Sequence, residues 1–172
     1  ARDAGVSTVT ANNWLSILEA SFILYRLQPY FKNYSKRIIK SPKIYFYDTG
    51  LLCYMLNIFN SRQLAASGLR GNIFECMVVN EIIKKVQNHG EKPQIFYWRD
   101  SNQTEVDLII EKDGFHKIFE IKSSSTKKSD FYRNLKSYME FAKVPPQNAA
   151  VIYGGDESFY GVKENFISWK DL

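Results

Sequence analysis

Three charged residues stand inside two apolar stretches of the segment EVDLIIEKDGFHKIFEIK, residues 105–122. Asp107 lies in the first stretch, and Glu120 and Lys122 end the second. Two carboxylates on rigid strands offer hard oxygen ligands suited to Mg²⁺ or Mn²⁺, and the backbone carbonyl of Ile121 is a further candidate ligand. A neighbouring ammonium group can help to deprotonate a water or stabilise charge on phosphorus. This pattern predicts a metal site for phosphodiester chemistry.

The two stretches must form neighbouring strands for these groups to meet. Side chains alternate along a strand, so Glu105 and Asp107 share one face of the first, and Glu120 and Lys122 share one face of the second. The Asp-Gly pair at 113–114 is a strong hairpin signal. A turn there places Asp107 roughly opposite Glu120, so we expect two carboxylates and one amine to converge.

Each residue also has an ordinary explanation. An acid in a strand usually faces water, and Lys122 could simply form an ion pair with Glu120 at a solvated strand end. An E-x-K triplet is unsurprising in a chain with 23 Lys and Arg and 18 Asp and Glu residues. The order favours one site: an acid in one strand, a turn, then E-x-K at the end of the next.

Length and composition limit the kind of protein that could contain this site. The chain of 172 residues has room for one ordinary domain, or for one domain with a small appendage, and its hydrophobic fraction of 45% is sufficient for a core. A net charge of +5 permits a nucleic-acid partner without requiring one. Cys53 and Cys76 stand in apolar stretches away from any Cys/His cluster, so we expect buried, reduced thiols in a cytoplasmic protein. No apolar run is long enough to cross a membrane.

Hydrophobic periodicity predicts an α/β fold with a mixed sheet. Residues 69–90 form the best helix, with a core-facing stripe of Phe74, Met77, Val78, Ile82 and Val86. Three strands in a meander follow, then a helix, a buried apolar strand and one more strand. We predict these elements at residues 94–100, 105–111, 115–122, 129–143, 148–155 and 164–172.

The first 40 residues differ from the rest. A helix that Ser7 would cap and a strand at residues 22–30 suit the latter half of a winged helix-turn-helix, or simply a packing helix and strand with no DNA role. The basic run at residues 31–43 could contact a nucleic-acid backbone or serve as a solvated linker. We therefore divide the chain into residues 1–40, a partial winged-helix segment, and residues 41–172, the domain with the predicted site.

The charged residues resemble the motif of the PD-(D/E)xK nuclease superfamily, in particular its RecB-like branch. The G-x-x-x-E block matches GNIFE with Glu75, the metal-binding acid matches Asp107, and E-x-K matches Glu120 and Lys122. The resemblance implies a restriction-endonuclease-like mixed sheet flanked by helices. It also implies that these four residues are catalytic, that Mg²⁺ or Mn²⁺ is bound by the three acids and the Ile121 carbonyl, and that DNA is the substrate.

The fourth block of that branch, Q-x-x-x-Y, is matched imperfectly by NLKSY, in which Asn134 replaces glutamine and Tyr138 is kept. Val106 stands where the superfamily's proline would be. Lys127 and Lys128 follow the predicted site in a basic, hydroxyl-rich loop, which would contact phosphate or would be an ordinary surface loop. We accordingly expect nucleic-acid contacts at Lys127, Lys128, Asn134 and Tyr138.

Nearly the whole chain is also similar to the C-terminal half of bacterial and archaeal AAA+-type ATPases that end in a domain of unknown function, with the phrases KIYFYDTGL and RGNIFE. This resemblance implies an upstream ATPase module in a longer protein. The chain has no G-x-x-x-x-G-K-[ST] phosphate loop, so we expect no nucleotide site within it.

Three functional hypotheses follow. The first is a metal-dependent DNA phosphodiesterase, which requires an intact site. The second is a catalytically silent module that binds nucleic acid or protein for the upstream ATPase. The third is a regulatory or dimerisation domain, which would form a homo-oligomer through its aromatic residues. Retention of Glu75, Asp107, Glu120 and Lys122 favours the first, because a degraded site usually loses one of them.

Overall fold

The computed structural model describes residues 1–31, 41–112 and 114–172. The helices are α1 (Thr8–Ala20), α2 (Thr49–Met55), α3 (Ser61–Ala66), α4 (Arg70–Asn88) and α5 (Arg133–Ala142). The strands are β1 (Leu24–Leu27), β2 (Lys43–Phe46), β3 (Ile95–Arg99), β4 (Glu105–Lys112), β5 (Phe115–Lys122), β6 (Ala149–Tyr153), β7 (Phe159–Tyr160) and β8 (Asn165–Ser168). A mixed six-stranded sheet flanked by helices confirms the predicted α/β class.

The six strands lie in the order β3-β4-β5-β6-β8-β7. The first three form the predicted antiparallel meander, and β6 runs parallel to both β5 and β8. Every residue of β6 is buried, as expected for an apolar strand in the middle of a mixed sheet. The last predicted strand is present as β8, and it forms a hairpin with the short strand β7, which was not predicted and is exposed at the sheet edge.

Two apolar clusters cover the two faces of the sheet. Neighbours along β6 divide between them: Val151 belongs to the same cluster as Leu135 and Tyr138 of α5, whereas Ile152 belongs to the cluster that contains Cys76 and Val79 of α4. Because successive side chains of a strand point to opposite faces, α4 and α5 lie on opposite sides of the sheet. We call these faces the α4 face and the α5 face.

Helix α4 buries a broader stripe than the sequence predicts. Val78 and Ile82 are buried as expected, whereas Phe74 and Met77 are only partly buried and pack at the margin of the cluster. The full buried set is Ile73, Cys76, Val78, Val79, Asn80, Ile82 and Ile83. Of the two thiols, Cys76 is buried as expected, but Cys53 is only half-buried because it lies on the short helix α2, which has no buried residue.

Strand β4 contains a β-bulge that matters for the site. Its pairing with β3 joins Phe96 to Ile109 and Trp98 to Val106, so two steps along β3 match three along β4. Asp107 and Leu108 of β4 therefore lie opposite a single residue of β3, Tyr97. A bulge of this kind bends the strand and re-aims a side chain, and it breaks the strict alternation assumed from the sequence.

The N-terminal part is joined to the main domain by β-pairing. Ser7 caps α1 as predicted, and Asp48 caps α2. Strand β1 pairs antiparallel with β2, and Tyr25 and Leu27 of β1 pack in the α4-face cluster. This pairing crosses the predicted division at residue 40, so the division and the winged-helix assignment stay predictions. Residues 32–40 of the basic run and Asp113 of the predicted turn lie outside the described residues.

Within the described residues, no helix has the length and apolar character needed to cross a membrane.

The close approach of β6 to the loop after β5 requires a glycine at position 154. A Cβ there would lie 2.7 Å from the backbone oxygen of Ser123, whereas a Cβ at Gly68 would meet nothing within 4 Å. We therefore predict that Gly154→Ala lowers the free energy of unfolding by about 1–3 kcal/mol, while Gly68→Ala changes it by less than about 0.5 kcal/mol. Urea denaturation of both variants tests this, and equal midpoints would contradict it.

Candidate metal centre

Three carboxylates from two elements form an acidic cluster on the α4 face. Glu75 projects from α4, and Glu105 and Asp107 project from β4; one oxygen of each lies within 4.8 Å of the others. Of these residues, Asp107 is buried and the other two are half-buried. A set of oxygen ligands this close together can bind a metal ion.

Asp107 is held by the end of the β4-β5 ladder. Regular pairing of these strands runs from Lys112↔Phe115 to Leu108↔Phe119, and beyond it the Asp107 Oδ2 accepts a hydrogen bond of 2.9 Å from the backbone N–H of Ile121. Burial, followed by the charges of Glu75 and Glu120, raises the pKa of Asp107 to about 8. A divalent ion would reverse that balance by favouring the ionised form.

Only one of the two carboxylate oxygens of Glu120 accepts a hydrogen bond from the residues that the structure describes. Its side chain is only 5% exposed, and its Oε1 accepts a 2.6 Å hydrogen bond from the Lys122 Nζ. Its Oε2 is buried and has no hydrogen-bond partner among the described residues. Burial raises the pKa of this carboxyl, and the attraction of Lys122 only partly offsets it. A buried carboxylate oxygen without a partner is unfavourable unless a cation is bound nearby.

Lys122 lies between these acids and solvent. Its Nζ is 4.0 Å from the Oδ2 of Asp107, and its side chain is 35% exposed. Burial alone would lower the pKa of Lys122, but Asp107 and Glu120 outweigh it and raise the pKa. The amine is therefore protonated at neutral pH, and it can neutralise negative charge that enters from the solvent side.

Lys43, at the start of β2, reaches into the acidic cluster. Its Nζ lies 2.7 Å from Glu75 Oε1 and 3.6 Å from Asp107 Oδ1, and it forms an ion pair with Glu105. Burial alone would lower the pKa of Lys43, but these three carboxylates raise it well above its usual value. Its side chain is only 17% exposed. From the sequence Lys43 is just the last cation of a basic run.

Two further side chains complete the hydrogen bonding. The Tyr45 hydroxyl donates to Glu75 Oε1 at 2.5 Å, and the Arg99 Nε donates to the Oε2 of Glu105. Four carboxylates, counting Glu120, thus face three cations: Lys43, Arg99 and Lys122. If all seven groups were ionised, the site would carry one net negative charge, and the raised pKa of Asp107 brings this close to zero at neutral pH.

A cleft of about 450 Å³ opens beside the cluster. Its polar side is formed by Lys43, Glu75, Arg99 and Glu105, and its apolar side comes from β2, α2 and the start of α4. The site is therefore accessible from solvent on the side where Lys43 and Arg99 stand.

The structure brings together Glu75, Asp107, Glu120 and Lys122, the four predicted catalytic residues. The backbone of Ile121 reaches the site through its N–H, and its carbonyl as a ligand stays a prediction. Sequence reasoning missed Glu105 and Lys43 as site residues. The position of Glu105, two residues before Asp107 on the same strand, was the available signal; Lys43 gave none.

The predicted nucleic-acid contacts are less uniform. Lys127 and Lys128 are exposed, and the Lys127 Nζ lies 5.4 Å from the ring centroid of Phe159. Asn134 is half-buried, but Tyr138 is fully buried in the α5-face cluster, on the other side of the sheet from α4. As the structure stands, Tyr138 is a core residue and has no surface to offer a nucleic acid.

Comparison with known proteins finds similar proteins in mycobacteria. It is 32% identical over 161 residues to the uncharacterized protein Rv2008c of Mycobacterium tuberculosis, and equally to the uncharacterized protein Mb2031c of Mycobacterium bovis. The match covers 92% of this chain and 34% of each relative, so the chain spans about a third of their length. No solved structure matches the chain.

Two family models match the chain in turn. One described as Domain of unknown function (DUF8612) matches residues 1–62. The other, described as Domain of unknown function (DUF4143), matches residues 70–172, which include α4, the whole mixed sheet and every carboxylate of the site. Because that match covers more than half of the chain, the protein belongs to the family of the domain of unknown function DUF4143.

Proposed function

We propose that this chain is a divalent-metal-dependent phosphodiesterase domain of the PD-(D/E)xK type, with DNA as its substrate. One observation carries the proposal. A cluster of acids from α4 and β4 lies next to the buried Glu120, whose Oε2 has no hydrogen-bond partner in the described part of the chain, and the amine of Lys122 stands at its edge. This is the donor set and the placement of charge that metal-assisted phosphodiester hydrolysis requires.

The donor set favours a hard cation. All available ligands in the cluster are carboxylate oxygens, which suit Mg²⁺ or Mn²⁺ rather than a softer metal. The nearest thiol along α4, Cys76, donates a hydrogen bond to the backbone oxygen of Phe46 and has a pKa raised by burial, so it is a poor metal ligand. Mg²⁺ or Mn²⁺ would supply Lewis-acid activation of water and of the phosphoryl group.

The chain's own residues would then have separate roles. Glu75, Glu105 and Asp107, whose oxygens converge, would hold the cation, and Glu120 beside them would add a further carboxylate. Lys122 orients the attacking water and offsets the charge that develops on phosphorus, while its bond to Glu120 fixes its position. The exposed Lys127 and Lys128, which follow Lys122 after a short loop, would attract the DNA backbone.

A silent binding module is the alternative. The ion pairs of Lys43, Arg99 and Lys122 balance the acids without any metal, so the same geometry could persist in a domain that only binds DNA or protein for another module. Such a domain would bind DNA without cleaving it, and a divalent ion would not be needed.

The proposal extends to a longer protein that would contain this domain. We infer an upstream AAA+-type ATPase module, because the chain resembles the C-terminal half of such proteins and its relatives are about three times as long as the matched region. We predict that the full-length protein hydrolyses ATP and that this domain alone does not. An ATPase assay of both proteins tests this part separately.

The central experiment is a cleavage assay on fluorescently labelled single- and double-stranded DNA. We predict metal-dependent cleavage in Mg²⁺ or Mn²⁺ that EDTA abolishes and added Mn²⁺ restores. Ca²⁺ serves as a control, because it binds oxygen ligands at longer distances, 2.3–2.6 Å, with flexible geometry. DNA binding without cleavage under any of these conditions would favour the silent module.

A further inference from the structure

The ammonium group of Lys43 occupies the place that a cation would take in the acidic cluster. Its Nζ is within 3.6 Å of the carboxylates of Glu75 and Asp107 and is paired with Glu105, which are the three residues whose oxygens converge. Neither the family motif nor the sequence pattern assigns Lys43 to the site.

We propose that Lys43 is an internal cation that holds the acidic cluster together without metal and is displaced from it when a divalent ion binds. This inference rests on the proposed metal site, but it does not depend on cleavage. It makes metal uptake an exchange of one cation for another, and it makes Lys43 a competitor of the metal.

Geometry forces the exchange. Mg²⁺ binds oxygens at about 2.0–2.1 Å, so an ion shared by three carboxylates must lie at the centre of their oxygens. The Lys43 Nζ already stands within reach of all three. An ammonium and a dication cannot share this space, because they would repel each other at contact distance in a partly buried site.

The cleft gives Lys43 a place to go. Lys43 is the first residue of β2, and β2 remains anchored by its pairing with β1 when the side chain turns. The side chain already lines the cleft together with Arg99. Once released from the acids, the amine would face any phosphate that enters the cleft. Lys43 would then pair with a phosphate group of the substrate in place of the carboxylates.

Chemical labelling of the unaltered protein tests the displacement directly. Lysines are reductively methylated with and without saturating Mg²⁺, and the rate at each lysine is measured by peptide mass spectrometry. We expect Lys43 to be protected without metal and to react at least about fivefold faster with Mg²⁺, because its amine leaves three carboxylates for the open cleft. Lys84, which is 59% exposed on α4, should react equally in both states. An unchanged Lys43 rate at saturating Mg²⁺ overturns the inference.

A variant provides the second measurement. Lys43→Met keeps an unbranched side chain that is one atom shorter and removes the competing charge, and Lys84→Met is the matched control. If Lys43 occupies the cluster for about nine-tenths of the time, its removal strengthens the apparent Mn²⁺ affinity about tenfold. Calorimetric titration at one pH measures the apparent Mn²⁺ affinity of each protein. Equal affinity in Lys43→Met and wild type would contradict the predicted competition. Should Lys43→Met fail to fold without metal, the labelling experiment still decides.

Failure of the metal site itself would look different. If neither wild type nor Lys43→Met binds Mn²⁺, the proposed function fails and the inference with it. If only Lys43→Met binds Mn²⁺, Lys43 blocks the site and is not displaced by the ion, which overturns the exchange. If both bind equally and labelling is unaffected, the metal site stands and the exchange is excluded.

Discussion

Asp107→Asn is expected to reduce DNA cleavage by about a thousandfold or more and to remove detectable Mn²⁺ binding. In the proposed metal site Asp107 is the central ligand: one oxygen faces Lys43 in the acidic cluster, and the other is fixed by the N–H of Ile121. Asparagine keeps the shape and can still accept that hydrogen bond, but it supplies no charge to a cation. A loss of several kcal/mol of transition-state stabilisation corresponds to at least this decrease in rate.

The titration should be made at pH 8.5. The pKa of Asp107 is about 8 without metal, so at pH 6 most molecules would have to lose a proton before the ion binds, and the apparent affinity would fall. Calorimetry in two buffers of different ionisation enthalpy would show whether that proton is released. Asp156→Asn is the matched control, because Asp156 is exposed and pairs only with Lys170 among the described residues.

Stability distinguishes a lost ligand from a lost fold. The pKa of Asp107 is raised from 3.8 in the unfolded chain to about 8 in the fold, so its ionisation at high pH disfavours the folded state. The stabilising contribution of the protonated form is complete below pH 4 and is lost as the pH rises through 8. Metal-free Asp107→Asn should therefore be at least as stable as wild type at pH 8.5. Cleavage within threefold of the wild-type rate would rule out Asp107 as a metal ligand.

The sequence predicts those parts of the fold that depend on local patterns. Helix α4, the β3-β4-β5 meander and the buried strand β6 are recognisable because periodicity and turn residues act over short stretches. The bulge in β4 is not, since it depends on how β3 and β4 fit together once both exist. Strict alternation would group Asp107 with Ile109, whereas Ile109 packs on the α5 face.

The residues of the site likewise fall into those that the sequence predicts and those that it does not. Asp107, Glu120 and Lys122 lie on one hairpin, so a single turn is enough to predict that they come close. The bulge, which the sequence does not predict, then separates Asp107 from the face of Ile109 to which strict alternation would assign it. Glu75 could be assigned only through the resemblance of its block to a known motif. Lys43 precedes Glu75 by 32 residues in the sequence. The two meet because β2 pairs with β1 and packs with α4 in the same apolar cluster. No local rule assigns such a contact to a basic run.

Tyr138→Ala is expected to lower the free energy of unfolding by about 3–5 kcal/mol, although the motif resemblance suggests a nucleic-acid contact there. The Tyr138 ring is fully buried and packs edge-on against Trp98, with ring centroids 5.0 Å apart. Its truncation would leave a cavity between α5 and the sheet, beside the buried Leu135. Such a loss is a large part of the 5–15 kcal/mol that stabilises an ordinary domain.

Urea denaturation of three variants separates a core role from a surface role. Tyr138→Phe keeps the ring and should remain close to wild type in both stability and DNA affinity. Tyr160→Ala removes the same side chain from an exposed position, 71% accessible, and should change the free energy of unfolding by less than about 1 kcal/mol. DNA affinity is then measured for each variant under conditions in which it is fully folded.

The position of α5 explains why the motif and the structure suggest different roles. Tyr138 lies three residues after Leu135, and both are on the buried side of α5, so the helix presents Tyr138 to the sheet. Asn134, one position before Leu135, is half-buried and remains the better candidate for a nucleic-acid contact on this helix. A Tyr138→Ala protein with wild-type stability and weakened DNA binding would show that the tyrosine acts at the surface instead. Loss of stability with unchanged DNA affinity of the folded protein would assign it to the core.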